Sequence, residues 1–182
     1  MRKIEIQTSK VKLILMLFGS VLFSIGGFLL AKNPENFTSF RHSNIEFIRI
    51  SGITALCFFG LILIYIILKL FDKKPGLIID DDGITDNSSG VSVGLILWKD
   101  IVSIHTEKIQ STKFLIIRVD NPEKYIAGSY RFKKNLLRAN MKMYGTPLSI
   151  SSNGLKSNFN GLEELIKTEF EKHKENRKTK LE

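Results

Sequence analysis

The chain has one cysteine and no grouped histidines, and these shortages exclude several kinds of site. Cys57 stands alone, so neither an intramolecular disulfide nor a multi-cysteine zinc site can form within the chain. The three histidines, His42, His105 and His173, are scattered without the spacing typical of metal ligands. We therefore expect no metal site and no cofactor.

Motifs of nucleotide chemistry are missing as well. The sequence has neither a Gly-x-Gly-x-x-Gly segment nor a phosphate-loop lysine motif. The densest carboxylates, Asp80 to Asp82, are followed by Gly83, which predicts a solvated hairpin turn whose glycine takes a positive φ. Three consecutive carboxylates on a strand cannot all point one way, and catalysis needs groups that converge. We expect a protein that is not an enzyme.

Two long segments lack charged residues altogether. Residues 13–31 and 50–68 are each uncharged over 19 positions. At about 1.5 Å rise per residue, such a helix covers about 28 Å, close to the hydrocarbon thickness of a bilayer. A signal peptide is the alternative for the first run, but that run is longer than a usual signal core and no small-residue cleavage site follows it. Residues 1–74 are predicted to form a membrane hairpin with two transmembrane helices.

The residues inside the two runs suggest how the helices pack. Ser20, Ser24 and Gly27 lie roughly on one face of the first helix, and Ser51 and Ala55 on one face of the second. Small side chains let two membrane helices approach closely. Neither run carries an acidic, basic or histidine side chain of the kind that transporters place inside the membrane. The spacing neither requires nor excludes a homo-oligomer formed through the hairpin.

The net charge of +9 is unevenly distributed. Residues 1–74 hold 10 Lys or Arg against 4 Asp or Glu, whereas residues 75–182 hold 17 against 14. Basic residues beside the apolar runs favour a topology with both termini in the cytoplasm and residues 32–49 outside. Nucleic-acid binding would place the basic excess in the second part instead, so no nucleic-acid partner is expected.

After the second run the periodicity changes to short strands separated by turns, which indicates an antiparallel meander or small barrel over residues 75–172. The fifth strand is apolar on both faces and is therefore expected at the centre of a sheet. The only tryptophan, Trp98, is expected in the core. The predicted elements are strands at residues 76–80, 84–86, 91–98, 101–109, 113–120, 146–150 and 155–159, a helical pattern over residues 125–144, a helix that begins at Asn160, and a charged tail at residues 173–182.

Several segments carry a resemblance to a known fold. The segment Gly76-Leu-Ile-Ile-Asp-Asp-Asp-Gly-Ile-Thr85, followed by Leu97-Trp98-Lys99-Asp100-Ile101, resembles bacterial pleckstrin-homology-like (PH-like) domains that stand beside paired membrane helices. The likeness covers about residues 10–172 and includes Asn121-Pro-Glu-Lys-Tyr125. It implies an α+β protein, in which a transmembrane hairpin precedes a PH-like antiparallel sheet or small barrel closed by a C-terminal helix. It implies no activity.

One segment of the second part is strongly basic. Residues 131–144 contain five basic residues and no acidic one, and Phe132, Leu136, Ala139 and Met143 recur on one helical face. A helix that lies on an anionic membrane leaflet has this pattern, and so does a helix packed on its own domain with a solvated basic side. The candidate lipid-binding or partner-binding residues are Arg131, Lys133, Lys134, Arg138 and Lys142.

Two functions fit these observations. The leading hypothesis is an integral membrane protein that presents a non-enzymatic PH-like binding or scaffold domain at the cytoplasmic face, where it contacts membrane lipids or a protein partner. The alternative is an immunity protein that protects its own cell from a membrane-acting or secreted toxin.

Overall fold

The computed structural model describes residues 3–38 and 44–179, so the predictions for residues 1–2, 39–43 and 180–182 lie outside the described residues. The described chain is α+β and divides into two compact units. One unit is the helical pair at residues 10–73. The other combines the segment before Lys10 with the chain after Lys73.

The first unit contains two helices long and apolar enough to cross a membrane, α1 (Lys10–Lys32) and α2 (Ile45–Phe71). Both extend beyond the predicted runs because their polar ends stay helical. At the start of α2, the Asn44 side chain accepts a hydrogen bond from the Phe47 amide at 3.2 Å. A short 3₁₀ turn, Pro34–Phe37, follows α1.

The two helices approach most closely where glycine faces glycine. A Cβ on Gly27 would lie 2.8 Å from the Leu56 nitrogen, and one on Gly52 would lie 2.6 Å from the Ala31 nitrogen. The predicted contact of Ser20 and Gly27 agrees with their burial. Ser51 was wrongly placed in the contact, because its side chain is exposed and its hydroxyl donates to the Phe47 carbonyl. The next residue, Gly52, makes the contact instead.

The second unit holds two antiparallel sheets, each with its strands in sequence order. The first sheet consists of β1 (Ile4–Ile6), β2 (Leu77–Ile79), β3 (Gly83–Asp86) and β4 (Gly94–Leu97). The second consists of β5 (Ile101–Ile109), β6 (Thr112–Val119) and β7 (Leu148–Ile150). As predicted, the nearly apolar fifth strand of the sequence, now β6, is central in its sheet.

Strand β1 was not predicted. It pairs with β2 in the register Ile4 to Ile79 and Ile6 to Leu77, so the chain before α1 belongs to the same sheet as the chain after α2. The sequence alone predicts that residues 1–9 belong to the membrane hairpin. A three-residue strand leaves too short a pattern to detect locally, since its partner lies more than 70 positions away in the sequence.

Three helices complete the second unit: α3 (Pro122–Ala127), α4 (Arg131–Tyr144) and α5 (Phe159–Thr179). The helical pattern predicted over residues 125–144 is therefore broken between α3 and α4. The strand predicted at residues 155–159 is wrong, because Leu155 makes only an isolated bridge to Thr8. The cap of α5 is Asn158, two residues before the predicted cap Asn160, and its side chain accepts from the Gly161 amide at 2.7 Å.

The core of this unit joins both sheets to α5. Trp98 is buried as predicted, and its Nε1 donates to the Asp80 carbonyl at 2.8 Å. The apolar side of α5 reaches this core through Leu162, Ile166 and Phe170. The other buried members, from the strands, from α3 and from the loop before α5, are Leu77, Ile79, Ile84, Ile96, Ile101, Leu115, Ile117, Val119, Tyr125, Leu148, Ile150 and Leu155.

The predicted turn at Asp80–Asp82 is present, but its glycine has a different role. The Asp80 carboxylate accepts from the amides of Asp82 and Gly83 at 3.1 and 3.2 Å. The positive φ expected at Gly83 is wrong, because positive φ among the described glycines occurs at Gly94 and Gly145. A Cβ on Gly83 would lie 2.0 Å from the Ile96 carbonyl oxygen, so the close approach of β4 explains the glycine.

The glycine contact between the helices yields a matched test. We expect Gly27→Ala to lower the free energy of unfolding of the helical pair by about 1–3 kcal/mol, because the new methyl overlaps the backbone of α2. Gly26→Ala is the control, since a Cβ there meets nothing within 4 Å and alanine favours the helix. Unfolding by SDS in mixed micelles measures both; equal effects would contradict the assigned contact.

Candidate functional site

Helix α4 is positioned by the residues at its two ends and by one buried side chain. The Asn121 side chain caps α3 by accepting from the Lys124 amide, and Gly128 separates α3 from α4. Gly145 ends α4 at φ 70°, a conformation that favours glycine. Leu137 is fully buried and fixes the side of α4 that faces its own unit.

The apolar residues that the sequence places on one face of α4 point away from the protein. Phe132 is 76% exposed and Met143 is 66% exposed, although both are large apolar side chains. Leu136 and Ala139 are exposed on the same face. We call Phe132, Leu136, Ala139 and Met143 the apolar stripe. Leu137 lies on a different face, so α4 is anchored without using this stripe.

Four of the five predicted basic residues lie beside the apolar stripe. Arg131, Lys134, Arg138 and Lys142 follow one another at intervals of three or four residues, which places them on one side of the helix. Three of them are exposed, and Lys134 is half-buried. We call these four residues the basic stripe. Among the described residues, no carboxylate forms an ion pair with the basic stripe.

The fifth predicted residue, Lys133, does not join the others. Its ammonium donates to the Ser92 carbonyl on the side of α4 that faces the unit. It borders a hollow of about 290 Å³ together with Lys124, Tyr125 and Tyr130. Both lysines of this hollow already have partners, because Lys124 pairs with Asp100. The hollow thus offers no free cation to an anionic ligand.

Asp100 is the most tightly held carboxylate in this region. It is buried and accepts hydrogen bonds from Lys124 and from the Tyr125 hydroxyl, the latter at 2.6 Å. Burial alone would raise the pKa of Asp100, but the two donors and the lysine charge outweigh it and lower the pKa. Burial and the adjacent carboxylate raise the pKa of Tyr125. This arrangement clamps α3, which leads into α4.

A second hollow of about 330 Å³ lies beside Trp98. His173 stacks on the Trp98 ring with centroids 4.8 Å apart, and its Nδ1 lies 2.8 Å from the Glu169 carbonyl. Arg177 donates to the carbonyls of Trp98 and Lys99. These contacts tie the end of α5 to the β4–β5 turn, which is a structural role.

The remaining ionisable groups singled out in the sequence do not converge. His105 lies 3.7 Å from Glu107 and is half-exposed. Glu163 accepts from Lys167 and from the Thr106 hydroxyl, which lower its pKa and tie α5 to β5. Within residues 3–38 and 44–179, no three His, Cys, Asp or Glu side chains are placed to hold a metal ion.

Tyr130, which precedes α4 and is 90% exposed, is not predicted as a site residue. The sequence also leaves open which face of α4 contacts the protein. The helical pattern separates the apolar stripe from the basic stripe, but the anchoring residue, Leu137, belongs to neither. Leu137, Met141 and Tyr144 recur at helical spacing as a second apolar face, so only tertiary packing decides between the two faces.

The Asp100 contacts predict a dependence of stability on pH. The pKa of Asp100 is lower in the folded than in the unfolded chain, so its contribution is present above the ordinary value of 3.8 and is lost as the pH falls through the folded-state pKa. We expect Asp100→Asn to lower the free energy of unfolding at neutral pH by about 1–3 kcal/mol. The difference from the wild type should shrink in acid.

Denaturant unfolding of the full chain in detergent, over a series of pH values, measures this effect. Asp82→Asn is the control, because Asp82 is an exposed turn carboxylate, and we expect a change within about 0.5 kcal/mol. An Asp100→Asn deficit that is the same at every pH would show that the charge of Asp100 does not matter.

Comparisons with protein-family models, with curated proteins and with solved structures find no match to this chain. The likeness to PH-like domains therefore rests on the sequence segments named above and stays a prediction. What the fold establishes is an α+β chain with two long apolar helices and two antiparallel sheets.

Proposed function

We propose that this protein spans a bacterial plasma membrane twice and presents a non-enzymatic, PH-like binding module at the cytoplasmic face. The observation that carries the proposal is the pairing of β1 with β2. These strands lie immediately before and after the two apolar helices. One sheet thus holds both flanks of the helical pair.

The links that join β1 and β2 to the two helices are short, and their length limits the possible membrane topologies. Three residues separate β1 from α1, and five separate α2 from β2. An extended chain advances about 3.3–3.6 Å per residue, so neither link can cross a hydrocarbon layer of about 30 Å. The pairing therefore supports a topology with two spans, in which both flanks lie on one side of the membrane and the short loop on the other side.

The charge of the residues next to the helices favours the cytoplasmic side for both flanks. The flank before α1 and the links after α2 are basic, with Lys10, Lys12, Lys73 and Lys74 close to the helix ends. Positive residues next to a membrane helix favour the cytoplasmic side. The binding role is supported by α4, which exposes the apolar stripe beside the basic stripe.

The strand pairing can be tested by cross-linking. Glu5 and Ile78 are directly opposite in β1 and β2, so we expect Glu5→Cys with Ile78→Cys to form a disulfide in native membranes of a chain carrying Cys57→Ser. Glu5→Cys with Thr85→Cys is the control, because Thr85 lies one strand further away. At about 9–10 Å this second pair exceeds disulfide reach. Equal cross-linking of the two pairs would refute the assigned sheet.

The membrane topology can be measured by labelling single cysteines from either side of the membrane. With Cys57 replaced by serine, single cysteines at Lys3 and Lys108 should react with an impermeant maleimide from one side of sealed membrane vesicles. A cysteine at Asn36, in the exposed 3₁₀ turn, should react only from the other side. Labelling of Lys3→Cys and Lys108→Cys from opposite sides would overturn the two-span arrangement.

A further inference from the structure

We propose that α4 lies in the plane of the membrane surface, with the apolar stripe inserted between the lipids of an anionic leaflet and the basic stripe paired with their phosphates. This inference rests on the proposed function, because it requires the second unit to be held at a membrane face. It goes further by assigning the ligand: a lipid bilayer surface that carries negative charge.

The first argument is the exposure of the apolar stripe. Phe132 and Met143 stand at opposite ends of α4 and are mostly exposed, with Leu136 between them. The stripe therefore runs along the helix rather than forming one isolated spot. Residues of this size rarely remain in water together on one helical face unless another surface covers them.

The second argument is charge complementarity. Helix α4 has five basic residues and no acidic one, and the basic stripe runs the length of the helix about a third of a turn around from the apolar stripe. Each lysine or arginine close to an anionic leaflet strengthens binding about fivefold. The basic stripe has no carboxylate partner among the described residues, so its charges are available to phosphates.

The third argument concerns the shape of the surface. Both stripes lie on a convex helix, and the lysines that border the neighbouring hollow, Lys124 and Lys133, already have hydrogen-bond partners. A protein partner usually fills a groove, whereas a bilayer accepts a convex helix by displacing headgroups. Tyr130, which immediately precedes α4 and is 90% exposed, adds an aromatic residue of the kind enriched at membrane interfaces.

The experiment uses the full chain with Cys57→Ser, reconstituted into vesicles of phosphatidylcholine alone or of phosphatidylcholine mixed with phosphatidylglycerol. Met143→Cys carries an environment-sensitive fluorophore, and nitroxide-labelled lipids act as quenchers. We expect strong quenching and a blue shift in the anionic vesicles, and much less of either in the neutral ones. A fluorophore at Val102→Cys, a position 61% exposed on β5, is the control that should stay in water.

Charge-reversal variants distinguish the contribution of the basic stripe to docking from the contribution of the net charge. Arg138→Glu with Lys142→Glu should lower the ratio of docked to free α4 by at least about tenfold, since each lost charge weakens docking about fivefold. Lys99→Glu with Lys108→Glu changes the net charge equally at exposed positions outside α4, and should leave the ratio within about twofold. Unfolding curves of each variant establish that the fold is kept.

The outcomes are distinct. A Met143 fluorophore that remains in water in both kinds of vesicle overturns lipid contact, and shielding that occurs only in native membranes overturns it in favour of a protein partner. Maleimide labelling of Lys3→Cys and Lys108→Cys in the same vesicles reports separately on topology. If that labelling agrees with two spans while Met143 stays in water, the membrane anchoring stands and only the lipid inference fails.

Discussion

The structure depends on the pairing of two short strands that the sequence keeps far apart. Strand β1 ends just before the first apolar helix, and β2 begins just after the second. Without β1, the first sheet would lose an outer strand, and Ile4 and Ile6 would leave the core they pack against. With β1 in place, the segments before and after the two long helices belong to one folded unit, and the helices are inserted between them in the sequence.

A second set of contacts places α4. Asp100, at the turn between the two sheets, is held by Lys124 and Tyr125 of α3, and Leu137 anchors α4 itself. A buried carboxylate is tolerated only with donors around it, so the turn and α3 depend on each other. Helix α4 therefore follows, after three residues, a helix that hydrogen bonds fix to this turn.

The parts of this fold that were predictable are those with a long local signal. Residues 101–109 and the centre of β6 alternate or run apolar over many positions, and both uncharged helices are obvious from length alone. The candidate site was only half predictable. The sequence separates the two stripes of α4, but their orientation depends on Leu137, which is decided by packing against other elements.

The sequence predictions that were wrong concern residues whose structure depends on distant parts of the chain. Strand β1 is too short to recognise without its partner, and Leu155 looks like part of a strand because it is apolar, yet it is needed only as one core side chain. Gly83 was predicted to take a positive φ in a turn. In the structure a side chain is excluded there because the backbone of β4 passes too close. Ser51 was chosen for its size, but Gly52 lies at the contact.

The position of β1 also orders the events of biosynthesis. This strand leaves the ribosome before either apolar helix, but its partner is made only after both. Under the proposed topology, the sheet is completed only when the second helix has returned the chain to the side where the first one started. A chain that fails to return would leave the edge of β2 unpaired and prone to association with other strands. Under this topology, the β1–β2 pair can form only in a chain whose second helix has also crossed the membrane.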